Sequence, residues 1–303
     1  MLNNVQLSCF LLSYLTAFGL EVVSVMRSSK VARLTAIGFG IAGLVAHTAY
    51  LLIRSREADL PPLLSSTQDW VLVLAWLAVV LYLAIIALDR TLPLGLFLLP
   101  VVLTLIGVAL FVSDDPHSLF ANRGESQAEV AAHRWTMLHA SSLLIGTGGV
   151  LLGFVLSIMY LIQHRRLRQK VNKAPNVALP NLEKLATLNW WSVVVAVPLL
   201  TIGFVAGIIV GQLSPDTTAA FSFTDPTVLA HAVVWIAMAA LFYRLLRRRG
   251  ASGKTVAWQT VWAFGFLIAT IVGLELLTGD GRIDSFHSSR TPQQQLEAPE
   301  AGA

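Results

Sequence analysis

Histidine is the residue type in this sequence that is best suited to metal or cofactor chemistry. The seven histidines are His47, His117, His133, His139, His164, His231 and His287. Neutral imidazole is the commonest metal ligand in proteins and a frequent axial ligand of haem iron. Two histidines from different helix ends, facing each other across an apolar pocket, would therefore suit a haem group. Each histidine alone is also explained by helix capping or by a hydrogen bond to neighbouring backbone, and both interpretations stay open at this point.

The single cysteine excludes several kinds of cysteine chemistry. Cys9 lies within an apolar run, so the sequence excludes an intrachain disulfide, a CxxC redox pair and a cysteine-based zinc site. We therefore expect no catalytic nucleophile or redox pair of the chain's own.

The composition indicates the environment that must hold these side chains. Hydrophobic residues make up 55% of the 303 residues and charged residues 13%, and the mean hydropathy is +0.70. The charged share is about half that of an average soluble protein. The chain is therefore predicted to be a polytopic membrane protein, which excludes a secreted disulfide scaffold, a nucleic-acid-binding domain and a disordered chain. The basic pI does not indicate a nucleic-acid partner, because membrane proteins place lysine and arginine on one side.

Apolar runs predict the helices. A bilayer crossing needs about 17–25 predominantly apolar helical residues. Eight runs of that kind predict an all-α bundle of eight transmembrane helices. They are residues 5–26, 34–53, 70–88, 92–112, 135–162, 191–210, 226–243 and 256–277. Residues 1–279 form the predicted transmembrane domain, and residues 280–303 form an outer polar tail that is expected to be disordered after about residue 290.

The distribution of charge predicts the orientation. Most of the 21 basic residues follow the first, third, fifth and seventh helices, so the positive-inside rule places both termini outside. With this orientation, six of the seven histidines lie toward the outer side, and only His164 lies on the inner side.

In two of the predicted helices, notable residues fall in a stripe along one helix face. In the fifth helix the stripe is His139, Ser142, Gly146, Gly149 and Gly153, and its small residues favour close helix packing. In the seventh helix the stripe is His231, Trp235, Met238 and Phe242, and it is either a porphyrin wall or a packing surface. Arg27, six residues after Glu21 in the first helix, is expected to pair with Glu21 or to extend toward the interface.

Several segments together resemble a known family. Leu138 and His139 are followed by a glycine-rich helix that ends in a basic run at residues 159–168. Segments 95–100, 179–185 and 200–207 match neighbouring parts of the same pattern. The sequence resembles the cytochrome c assembly family of haem-handling membrane proteins, the CcsA/CcmC-like group. It is most similar to the eight-helix branch that includes HemX- and YpjD-type proteins, and the resemblance covers about residues 1–290.

The resemblance implies a haem site. The family has a tryptophan-rich outer loop that ends in Trp-Asp-Pro and faces haem; residues 221–226 here read Phe-Ser-Phe-Thr-Asp-Pro, with phenylalanines in place of the tryptophans. The resemblance implies His139 and His287 as axial ligands of a haem b, and His47 as a match to a membrane-embedded histidine. The other implied haem-facing residues are Asp225, Phe221, Phe223 and Trp235.

The implied function is haem handling in cytochrome c maturation. Haem would be bound, exported or presented for attachment to apocytochrome c at the outer face of a bacterial inner membrane. The expected partners are haem, apocytochrome c, another assembly subunit and membrane lipid, with no nucleic acid. The alternatives are a non-catalytic regulator or assembly factor of the HemX type, which the lost tryptophans favour, and a transporter of another small molecule.

Overall fold

The described residues form eight α-helices. The computed structural model describes residues 6–57, 61, 66–89, 92–112, 127–168, 179–213, 226–247 and 253–279, and these ranges contain no strand. The helices are α1 (Leu7–Arg27), α2 (Lys30–Glu57), α3 (Thr67–Leu88), α4 (Leu94–Ala109), α5 (Gln127–Arg168), α6 (Leu182–Leu213), α7 (Pro226–Arg247) and α8 (Gly253–Gly279). The predicted all-α class is confirmed for this part of the chain.

The lengths of the helices bear on the predicted membrane spans. Within the described residues, α1, α2, α3, α5 and α6 are long and apolar enough to cross a bilayer. Helix α4 has 16 residues, because Pro93 precedes it and Leu110 caps it, so it is shorter than the predicted span 92–112. At 1.5 Å per residue it is about 24 Å long, against a hydrocarbon core of about 30 Å. The count of eight spans and the placement of both termini outside stay predictions.

Helices α5 and α6 extend beyond the apolar runs that predicted them. Helix α5 has 42 residues, and α6 begins at Leu182, so residues 182–189, which precede the predicted apolar run 191–210, are part of α6. Asn181 caps this start, since its side-chain oxygen accepts the Lys184 backbone N–H at 2.9 Å. A hydropathy window finds the apolar part of a helix and misses its polar turns.

The helices pack in two groups. Helices α1–α4 pack on one another, as do α5–α8, and α3 and α4 contact α5 to join the groups. The odd-numbered helices end at the same end of the bundle at which the even-numbered helices begin. We call it the basic end, because the last turns of α1, α5 and α7 carry Arg27, Arg168 and Arg247. We call the end of the bundle away from these arginines the opposite end. At the basic end an ion pair between Lys184 and Asp89 links the two groups.

The most extensive helix contact is between α5 and α6, and glycines make it close. A Cβ atom added at Gly146 would lie 2.8 Å from a Leu200 side-chain carbon, and one at Gly149 would lie 2.9 Å from the Ala196 Cβ. These distances are shorter than real Cβ contacts, so only glycine permits this approach. The packing interpretation of the stripe in the fifth helix is therefore confirmed for these two glycines.

Polar contacts tie α1 and α2 to α3 and α4. The Tyr82 hydroxyl on α3 donates to Glu21 Oε1 on α1 at 2.9 Å, and Glu21 is 2% exposed. Arg33 on α2 acts on the Glu21 carboxyl as a nearby positive charge and donates from Nη2 to the Leu92 carbonyl at 2.7 Å. Glu21 thus points into the group toward Tyr82, whereas Arg27 is exposed, which agrees with the alternative in which Arg27 extends toward the interface.

The predicted orientation leads to a direct test. A reporter that is active only in the cytoplasm should be active when fused after Lys173 and silent when fused after Gly124, because the basic loops stay inside. A reporter that is active only outside should give the reverse pattern. Activity of one reporter at both positions would contradict the orientation.

Candidate functional site

The structure describes three of the seven residues predicted to form a cofactor site. They are His47, His139 and Trp235. The other four, His287, Asp225, Phe221 and Phe223, lie outside the described residues. The site is therefore built from His139 and its surroundings.

His139 lies toward the opposite end of α5, half-buried against α6. Its Nδ1 lies 2.7 Å from the Gly203 carbonyl oxygen. A carbonyl only accepts hydrogen bonds, so Nδ1 carries the proton, and in the neutral ring the lone pair is on Nε2. Metal-binding histidines generally use this arrangement, in which one ring nitrogen donates to a carbonyl or carboxylate and the other binds the metal. The hydrogen bond also fixes the ring plane.

Two glycines of α6 make room for this ring. Gly203 supplies the carbonyl, and Gly207, one turn further, lies directly beside the imidazole. A Cβ atom at position 207 would lie 2.6 Å from His139 Cε1 and 2.7 Å from Nδ1. Sequence reasoning matched both glycines to the family pattern without assigning them a role. The G-x-x-x-G spacing of Gly203 and Gly207 is the signal that could have found this close approach.

Trp235 lies against the same part of α6. Its indole N–H donates to the Thr201 hydroxyl at 2.9 Å, and its ring stacks on Phe204 with centroids 5.5 Å apart and an interplanar angle of 5°. Residues 201–207 of α6 thus hold Trp235 on one face and His139 on an adjacent one. These contacts support the packing interpretation of Trp235, and its predicted contact with a porphyrin stays a prediction.

Trp135 is a further aromatic residue near the site. It precedes His139 by one turn of α5, so the two residues share a helix face. The Trp135 side chain is 36% exposed. The i, i+4 spacing of Trp135 and His139 is the sequence signal that places this aromatic residue beside the candidate ligand.

His47 occupies a different place, in the first group of helices. It is fully buried, stacks on Phe10 with centroids 4.1 Å apart and an angle of 1°, and has its Nδ1 3.3 Å from the Tyr14 hydroxyl oxygen. Its Nε2 is buried without a hydrogen-bond partner among the described residues. Helix α2 packs mainly on α1 and α3, and α5 packs mainly on α6 and α8. The structure therefore places His47 and His139 in different groups of helices.

The His139 imidazole has the donor chemistry of an axial ligand of haem iron. Within the ranges given above, no three His, Cys, Asp or Glu side chains are arranged to hold a metal ion. A haem iron already has four porphyrin nitrogens and needs only one or two axial ligands. His139, with its tautomer set by Gly203, fits the role of one such ligand.

A comparison with known protein families covers the part of the chain that contains His139. A family model described as Cytochrome C assembly protein matches residues 64–279. The match contains α3 to α8, and with them His139, Gly203, Gly207 and Trp235, whereas α1 and α2 precede it. No curated protein matches the sequence.

Proposed function

This chain belongs to the cytochrome c assembly protein family, and we propose that within cytochrome c maturation it binds haem at the opposite end of the bundle. Haem is the cargo here, held for attachment to apocytochrome c. The observation that carries the proposal is the His139 imidazole, whose Nδ1–H donates to the Gly203 carbonyl and so directs the lone pair to Nε2.

The proposal gives each candidate site residue a role. His139 supplies one axial nitrogen from a helix, and His287 supplies the second from the segment that follows α8. Asp225, Phe221, Phe223 and Trp235 contribute to the haem-facing surface. The thiols for attachment come from the apocytochrome, because this chain's only thiol, Cys9, lies in α1. An additional assembly subunit and a reductant complete the reaction.

The orientation of the bundle determines the side of the membrane. The basic end carries Arg27, Arg168 and Arg247, so the positive-inside rule places it in the cytoplasm. His139 lies toward the opposite end, which then faces outward. In a bacterial inner membrane this is the side on which apocytochrome c would receive haem.

The absorption spectrum of the purified protein tests haem binding. Protein from haem-replete cells, or titrated with haem in detergent, should show a six-coordinate low-spin spectrum with two histidine ligands. His287→Ala should give a weaker, five-coordinate complex, because the helix-borne ligand remains. His164→Ala is the matched control, since His164 stacks on Tyr160 near the basic end. A wild-type protein that stays colourless and does not bind added haem would overturn the proposal.

A second function is favoured by the loop sequence. Phenylalanines stand in residues 221–226 where the family has tryptophans, which suits a regulator or assembly factor that senses haem without presenting it. Deletion of the gene distinguishes the two roles. Haem presentation predicts the loss of covalently attached haem from c-type cytochromes, whereas a regulator leaves attachment possible and changes its amount.

A further inference from the structure

We propose that Gly207 is a positioning residue for His139, because the absence of a side chain at 207 lets the imidazole hold its Nδ1–H on the Gly203 carbonyl and direct Nε2 at the haem iron. The inference rests on the proposed haem site and deepens it. It identifies a residue that acts on haem binding through the ring of the ligand.

The geometry separates the roles of the two glycines. A Cβ atom at Gly203 would lie 2.8 Å from Leu143 Cδ2 and 3.1 Å from the Leu143 backbone nitrogen, so Gly203 determines how closely α5 and α6 approach. The three heavy atoms nearest to a Cβ atom at Gly207 all belong to the imidazole, with Cε1 at 2.6 Å, Nδ1 at 2.7 Å and Nε2 at 3.6 Å. A methyl group at 207 therefore acts on the His139 ring first.

The imidazole has no way to stay in place beside such a methyl group. Real Cβ atoms are not found within 3.0 Å of other heavy atoms, so the ring must turn or move away from α6. Either motion lengthens the hydrogen bond of 2.7 Å to Gly203. That bond orients the ring and raises the basicity of the ligating nitrogen, and loss of such an outer partner typically costs about 10–100-fold in metal affinity.

The first test compares haem binding and reduction potential in the purified full-length protein. Gly207→Ala should lower haem affinity by about 10–100-fold and shift the haem reduction potential to a more positive value, since a less basic ligand stabilises ferric iron less. Gly265→Ala on α8 is the matched control, because nothing lies within 4 Å of a Cβ at that position, and it should match the wild type. Wild-type affinity and potential in Gly207→Ala would overturn the inference.

A second test keeps the inference decidable if Gly207→Ala does not fold. His139→Gly removes the ring, so added imidazole should enter its place, hydrogen-bond to Gly203 and restore a histidine-like haem spectrum. In the double variant His139→Gly/Gly207→Ala the methyl group has room and the helices pack, but it occupies the place of the ring. Rescue by imidazole should then fail, and equal rescue in both variants would overturn the inference.

The outcomes also separate this inference from the proposed function. If the wild type binds no haem, the proposed function fails. If the wild type binds haem and His139→Ala does not, while Gly207→Ala is unchanged in affinity and potential, the haem site stands and the positioning role of Gly207 is wrong.

Discussion

Replacing His139 with alanine should abolish haem binding, with a loss of affinity of more than about 100-fold, because loss of a mere outer partner already costs up to about that much. The reason is that in the proposed site His139 is the axial ligand carried by a helix, and its ring is fixed by the Gly203 carbonyl at 2.7 Å. A ligand that is fixed before haem arrives loses little conformational entropy when it binds. Haem titration followed by absorption in matched detergent preparations measures the effect.

The variants chosen beside His139→Ala make this result specific. His164→Ala should retain the wild-type spectrum, and each protein should elute as the same folded species in size-exclusion chromatography. His287→Ala should retain haem with one axial nitrogen. Wild-type spectra in both His139→Ala and His287→Ala would refute the pair of ligands, and His47, His133 and His231 would become the next candidates.

Replacing Glu21 with alanine should lower the free energy of unfolding by about 3 kcal/mol, the second large effect that the structure predicts. The Glu21 side chain is 2% exposed and Tyr82 is fully buried, so the variant leaves the Tyr82 hydroxyl without its acceptor. Thermal or denaturant unfolding in detergent micelles, followed by tryptophan fluorescence, measures the loss.

A double-mutant cycle separates the energy of the Glu21–Tyr82 hydrogen bond from the effect of the cavity that Glu21→Ala leaves. Glu21→Leu removes the acceptor oxygens and keeps much of the side-chain volume, and Tyr82→Phe removes only the hydroxyl. The two changes should be non-additive, with a coupling energy of about 1 kcal/mol or more, since they share one buried hydrogen bond. Glu183→Ala, an exposed acid near the basic end, serves as the control and should change stability little. Additive effects at positions 21 and 82 would show that the hydrogen bond does not stabilise the first group of helices.

Local sequence patterns predicted much of the fold because they report local physics. Apolar runs predicted all eight helices, since burial in a bilayer or a core requires continuous apolar surface. The stripe containing Gly146 and Gly149 predicted a close helix contact, because small residues let backbones approach. Residues 182–189 lay outside the apolar run that predicted α6, since hydropathy does not register the Asn181 cap that begins the helix there.

The sequence by itself determined that this chain is a helical membrane protein of the cytochrome c assembly family, and it placed His139 near a helix end as a candidate ligand. Only the tertiary structure decided which atom holds that ligand and which residue leaves room for it. His139 and Gly203 are 64 residues apart, and Glu21 and Tyr82 are 61 apart. Such contacts depend on how deep one helix lies in the bundle and how it is rotated against its neighbour. The packing of all the helices together determines that depth and rotation, and the residue pattern within a single helix does not record it.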